Sequence, residues 1–225
     1  MYIISLIPVY VVACLCIGLA ATPGLFIFQW IHDLNIEPMT FRYLCKGIAI
    51  AIGYFFYGFC LIFILPAVAF IFNLYPKEGR YPAYSLESFK WYFYNSLIFL
   101  MRLTFLEVIT PTPLSNLFFK LMGMKLGEKV YNNTSYITDA NLIEIGNNVT
   151  IGGSATIIAH YSQRGVVIIN PVKISSKVTI GLRAIVFGGV EIGEGATLMP
   201  NSVVLPKTKI PAGEVWGGVP ATKIR

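Results

Sequence analysis

Val172-Lys173-Ile174-Ser175-Ser176-Lys177-Val178-Thr179-Ile180-Gly181-Leu182-Arg183-Ala184-Ile185-Val186 carries an aliphatic residue at every sixth position. The beat continues without a slip through Ile192, Leu198, Val204 and Ile210. Two residues ahead of each stands a small or β-branched residue: Val172, Val178, Ala184, Val190, Ala196, Ser202 and Thr208. Ile145, Ile151 and Ile157 keep the same spacing earlier in the chain. A period of six fits neither the 3.6 residues of a helix nor the plain alternation of a flat strand. It fits a three-sided solenoid in which each hexapeptide makes one short strand and one corner. The aliphatic residue points into the prism, the small residue fits the tight turn, and three hexapeptides close a coil. Ile174, Ile192 and Ile210 are therefore expected to stack, each coil depending on its neighbours for burial.

Towards the N-terminus the beat falters once. From Ile157 to Ile174 the interval is 17 residues, where unbroken repeats would place 18, and it contains Ala159-His160-Tyr161-Ser162-Gln163-Arg164-Gly165. Such a run cannot line an apolar interior, so it is expected to leave the coil as a loop. Loops on rigid scaffolds are where function concentrates.

The front of the chain is of another kind. The whole chain is 56% apolar and 12% charged, with a net charge of +6, and most of the apolar excess precedes Leu126. No charge occurs from Tyr2 to Ile31, and a second uncharged run extends from Gly47 to Tyr75. Each exceeds the ~20 residues that cross a bilayer as a helix. Pro8 and Thr22-Pro23-Gly24 are expected to kink the first. The interval holding His32, Asp33, Glu37, Pro38, Arg42 and Lys46 separates them, and the two form a helical hairpin. Ser85 caps a further helix to Ile109, with Trp91, Tyr92 and Tyr94 as anchors at a membrane surface. A third span over the same residues is the alternative. Pro111 and Pro113 end that helix, and Leu114 to Met124 form an amphipathic connector. Lys77, Arg80, Lys90 and Arg102 follow the second span, which favours a cytoplasmic C-terminal domain at the inner membrane.

No basic run is dense enough for nucleic acid. Cys14, Cys16, Cys45 and Cys60 all lie in or beside the apolar runs, so neither a disulfide framework nor a metal knuckle is expected. Val11-Val12-Ala13-Cys14 has the form of a lipoprotein cleavage box but lacks the preceding basic region, so no cleavage is expected there. The expected fold is thus α + β. A transmembrane helical hairpin covers 1–76, an interfacial helix and connector cover 77–124, and a left-handed parallel β-helix covers 125–225.

Asn148-Val149-Thr150-Ile151-Gly152, an off-repeat histidine, Val178-Thr179-Ile180-Gly181-Leu182-Arg183-Ala184 and the closing Trp216-Gly217-Gly218-Val219-Pro220-Ala221-Thr222-Lys223-Ile224-Arg225 together resemble the hexapeptide-repeat O-acetyltransferases. These include the galactoside, maltose and xenobiotic acetyltransferases. The resemblance covers Leu126 to Arg225. A membrane segment joined to such a prism is more like the C-terminal region of polylysine-synthetase-type proteins. The resemblance implies that His160 is a general base, taking a proton from an acceptor hydroxyl or amine that attacks an acyl thioester. It implies an acceptor site near Asn133 and Asp139, the latter able to orient the histidine. Acetyl-CoA, or another short acyl-CoA, is the implied cosubstrate. Gly188, Gly189, Gly217 and Gly218 would admit the pantetheine arm, and Lys207, Lys223 and Arg225 would face the phosphates. It further implies a homotrimer with active sites between subunits, acting without metal on a membrane lipid or lipid-linked acceptor.

For Asn133 and Asp139, turn residues bonded to local backbone are an equal reading; for the lysines and Arg225, solvated cations are the alternative. A non-catalytic membrane scaffold and a carrier-protein thioester donor stay open. The γ-type carbonic anhydrases share the prism but need three histidines, and this domain has one.

Overall fold

The computed structural model describes residues 6–34 and 36–225 and divides into two compact units, Met1–Val68 and Ala69–Arg225. In the first unit, helix α1 spans Ile7–Asp33 and most of helix α2, Met39–Ile71, follows. A Cβ on Gly24 would lie 2.8 Å from the Gly53 Cα, so the two backbones meet where neither residue has a side chain. α1 runs as one helix through Pro23, and Pro8 sits in its first turn, where a missing N–H costs nothing. α2 starts at Met39, earlier than the apolar run. It takes in Arg42, whose guanidinium donates to Ile36 O (2.9 Å) and Glu37 Oε1 (2.7 Å). A charge partnered locally can join a helix start that hydropathy alone would leave out. Among the described residues three helices are long and apolar enough to cross a membrane: α1, α2 and α3 over Leu86–Ile109.

The second unit is built on the prism. Its strands pair in parallel, and the inward residues line up as the six-residue beat requires. On the first face Leu126, Ile145, Ile174, Ile192 and Ile210 are in register. The second face stacks Asn132, Ile151, Ile180, Leu198 and Trp216, and the third stacks Ile137, Ile157, Val186 and Val204. From Ile145 to Ile210 these aliphatics are all at most 2% exposed. Each such burial stabilises by about 1.5–3 kcal/mol, but only once the neighbouring coil is present. Tight corners fall on residues with φ near +50 to +80°, among them Asn148, Lys177, Arg183, Gly189 and Lys207.

The register corrects the expected reading of the broken beat. Ile157 belongs to the third face, beside Val186, whereas Ile174 belongs to the first, so the step between them is a single hexapeptide that has gained eleven residues. Nor is the excursion a loop. His160–Gln163 and Val166–Ile169 form an antiparallel hairpin, closed at Arg164-Gly165, both with positive φ. The second of these strands, Val166–Ile169, pairs on its other edge with Gly79–Pro82 and so lies between the two. The hairpin leaves the prism because its backbone finds these partners outside.

α3 begins at its expected cap, where Ser85 Oγ accepts from Ser88 N at 3.2 Å. Residues Arg102–Leu106 adopt π-helical geometry, and a fourth helix, α4, runs from Pro113 to Leu121. Tyr94 is wholly buried, accepting from Asn141 N and donating to Met122 O at 2.5 Å. It is therefore a packing residue of the second unit and not the surface anchor that its aromatic neighbours suggested.

Candidate active site

The third corner of the prism stacks four successive turns. Asp139 occupies it in the first coil, with φ 53° and ψ 40°. In the second coil the chain leaves at Ala159-His160; below lie Gly188-Gly189, and then Lys207, whose N–H donates to Gly188 O at 3.1 Å. Residues 21 apart in sequence thereby become neighbours. Asp139 Oδ2 lies 2.5 Å from His160 Nδ1.

Asp139 has no exposed surface, and a buried carboxylate is tolerated only when its oxygens are occupied. Here five donors converge. Oδ2 accepts from His160 Nδ1, from Ala159 N at 3.1 Å and from the Thr138 hydroxyl at 3.3 Å. Oδ1 accepts from Trp91 Nε1 at 2.8 Å and Asn95 Nδ2 at 2.7 Å. Asn95 Oδ1 also accepts from Asp139 N at 2.9 Å, which fixes the orientation of its amide. The Trp91 indole meets the imidazole edge-on, with ring centroids 4.8 Å apart. A neutral imidazole that donates Nδ1–H to a carboxylate carries its lone pair on Nε2. No described protein group hydrogen-bonds that nitrogen, and the side chain keeps 21% of its surface exposed. The arrangement leaves one nitrogen of a carboxylate-bonded imidazole open to an incoming proton donor.

Gly188 and Gly189 share this corner. A Cβ on Gly188 would come within 3.0 Å of Ala159 C and O and His160 N, so its bareness serves the backbone that carries His160. Gly189 has φ +81° and lies against the aliphatic stem of Lys207, which is exposed. Asn133 follows Asn132 at the end of the second face in the first coil, where its N–H donates to Ile151 O at 3.1 Å beside Gly153. Gly217 and Gly218 lie on the second face in a terminal hairpin with Ala221–Lys223. Lys223 Nζ is 2.6 Å from Glu214 Oε1, and Glu214 Oε2 accepts from Trp216 Nε1 at 2.8 Å. Lys223 first, and Trp216 after it, hold the Glu214 carboxyl below the ordinary glutamate value. Arg225 is exposed and bonds through its backbone to Val215. One chain thus brings His160, Asp139, Gly188, Gly189 and Lys207 to one corner, and leaves Asn133, Gly217, Gly218, Lys223 and Arg225 elsewhere.

Trp91 and Asn95 are the site residues that sequence reasoning missed. Their signal was present: an amide four residues after an indole lies on the same side of a helix, and a polar group in so aromatic a segment calls for a partner.

No family model matches the chain. It is 24% identical over 93% of its length to delta-poly-L-ornithine synthetase of Acinetobacter baumannii, but spans only 15% of that enzyme. A putative acetyltransferase of Bacillus subtilis, YvoF, is 29% identical over 64% of this chain and 88% of its own. Mitochondrial gamma carbonic anhydrase 2 of Arabidopsis thaliana is 35% identical over 36% of this chain and 25% of its own. Among solved structures, a maltose O-acetyltransferase from Clostridium difficile aligns with a TM-score of 0.47 at 17% identity, over 66% of this chain and 92% of that one. No cluster of three or more metal-ligating side chains forms among the described residues.

Proposed function

We propose that this chain is an acyl-CoA-dependent acyltransferase of the hexapeptide-repeat type, with His160 as general base and Asp139 as the group that orients it. The observation that carries the reading is the Nδ1 contact with a buried, five-times-bonded carboxylate, which leaves Nε2 open. Nε2 accepts the proton of an acceptor hydroxyl or amine as that atom bonds to the acyl carbonyl carbon. Acyl-CoA supplies that activated carbonyl and a sulfur leaving group, which departs as the C–S bond breaks and takes up the proton from His160. The acyl group is acetyl and the product an ester, or an amide where the acceptor is an amine.

Gly189 and Lys207 fit the coenzyme at this corner: one is a bare turn, the other an exposed cation beside it. The coenzyme lies between adjacent prisms of a homotrimer, where the second face of a neighbour supplies Gly217, Gly218, Arg225 and Asn133. The pairing of Lys223 with Glu214 withdraws one cation from that set and favours a second reading, in which the pantetheine thioester is presented by a carrier protein. α1 and α2 form a transmembrane hairpin in the inner membrane, with the prism on the cytoplasmic side. The acceptor belongs to the membrane: a lipid headgroup, a lipid-linked saccharide or an exported metabolite.

The test is thioester consumption by the full chain supplied with acetyl-CoA and a membrane extract. His160→Ala is expected to cut turnover by about 10²–10⁴-fold, the usual worth of a positioned base. Unchanged turnover refutes the assignment. Absence of turnover in the unaltered chain with acetyl-CoA and with an acetylated carrier protein alike establishes the scaffold reading instead.

A further inference from the structure

One side of α3 carries Trp91, Asn95, Ile98, Phe99 and Arg102, spaced as a helix places residues on one stripe. With Ile137 and Thr138 of the first coil these side chains line a groove of about 330 Å³. Its two ends differ. At one end stand the side chains that touch the dyad: Trp91 and Asn95 donate to Asp139 Oδ1, and the Thr138 hydroxyl donates to Oδ2. At the other end the Arg102 guanidinium lies 4.9 Å from the Phe99 ring centroid and 4.8 Å from that of Tyr136. Between the ends the lining is mainly apolar. At 1.5 Å per residue, the eleven steps from Trp91 to Arg102 cover roughly 16 Å.

The arginine lacks an anion. No carboxylate pairs with it among the described residues, and Glu107, the acidic residue next along the helix, accepts instead from Ser135 Oγ. Stacking against two rings holds a guanidinium plane still while leaving its N–H edge available, the presentation that suits a bidentate oxyanion. Beyond it, Phe99 and Leu103 expose 49% and 67% of their surface, so the apolar lining continues outwards as an apolar strip. A neutral sugar would leave the arginine unmatched, and inorganic phosphate would leave the apolar length unfilled.

We infer that this groove is the acceptor subsite and that its ligand is a phosphate-bearing lipid. The phosphate sits on Arg102, the apolar part lies along Ile98, Phe99 and Ile137, and the reactive hydroxyl or amine reaches the Trp91 end beside His160. The inference rests on the acyl-transfer reading for the chemistry, but binding at Arg102 is measurable without turnover.

The experiment is calorimetric titration of the full chain, held in micelles of a neutral maltoside, with decyl phosphate, decanol, decanoate and inorganic phosphate. Decyl phosphate is expected to bind at least about tenfold more tightly than the other three, the least that one charge-assisted contact contributes. Arg102→Gln is expected to erase that margin and Arg102→Lys to keep part of it, whereas His160→Ala keeps all of it. Equal affinity for decanol and decyl phosphate overturns the inference, as does tighter binding of decanoate. If Arg102→Lys and Arg102→Gln bind equally poorly, the ring stack and not the charge is at work, and the inference falls. Full turnover by His160→Ala would end the acyl-transfer reading while leaving the binding result standing.

Discussion

The lower coils of the prism and its upper corner obey different rules. From Val172 to Ile210 every residue stacked at the six-residue beat is aliphatic, every step is six residues and every strand finds its partner one coil away. Between Asn132 and Asn170 the interior admits Asn132, the corner admits a buried aspartate and the chain departs for eleven residues. The regular part is held by its own repetition. The irregular part is completed from outside the repeat, by α3 through Trp91 and Asn95, and by Gly79–Pro82 along the hairpin edge. Regularity makes the scaffold, and its interruption makes the candidate site.

Substitutions in the two regions should therefore separate activity from stability. The largest effect falls on the dyad. Asp139→Asn replaces an acceptor by an amide that can present N–H to Nδ1, which turns the imidazole to the wrong tautomer. Turnover should drop by about 10²–10⁴-fold, a loss of the kind seen when a catalytic histidine is left in the wrong tautomer, and coenzyme binding measured alongside should stay near the unaltered value. In the regular region Ile192→Ala should cost about 2–5 kcal/mol in chemical unfolding of the second unit, with turnover per folded molecule preserved. If it instead lowered turnover without lowering stability, the division drawn here would fail.

Trp91→Phe sharpens the comparison, because it keeps the ring against His160 and removes only the indole N–H. Loss of one hydrogen bond to a charged group is worth about 1.5–3 kcal/mol. The expected result is a roughly ten- to hundredfold fall in kcat with little change in KM for the acyl donor; an equal rise in KM would make Trp91 a binding residue. The smallest effect belongs to the terminal hairpin. Glu214 is held below the ordinary glutamate value, so its pairing contributes stability at neutral pH that is lost as pH falls through the depressed value. The Lys223 side chain is exposed and that of Glu214 half-buried, so Lys223→Ala should change unfolding at pH 7 only slightly and weaken, with Trp216 still in place, the acid-side loss of amide protection at Val215 and Ile224.

How far the sequence reaches follows the same division. Six-residue spacing reports an interior directly, so the stack of Ile174, Ile192 and Ile210 was legible residue by residue. The meeting of Asp139 with His160 was legible only through resemblance, because the coil that brings them together has lost the beat that would have marked it. The hairpin was misread as a slip of one residue in eighteen, since spacing alone does not say which face Ile157 occupies. Trp91 and Tyr94 were read from hydropathy as membrane anchors, yet they are spoken for by Asp139 and by Met122. Aromatic residues with a polar tip suit either setting, and only the tertiary partner decides between them.

The proposed mechanism requires Asp139 to fix the His160 tautomer with Nε2 unprotonated and open. The chain has two histidines, so a His32→Gln background leaves a single imidazole to observe by ¹⁵N NMR. In the neutral imidazole the expected state is a protonated Nδ1 and a bare Nε2, reversed or mixed when Asp139→Asn is introduced. A proton on Nε2 in the unaltered site, or a spectrum indifferent to Asp139→Asn, would contradict it.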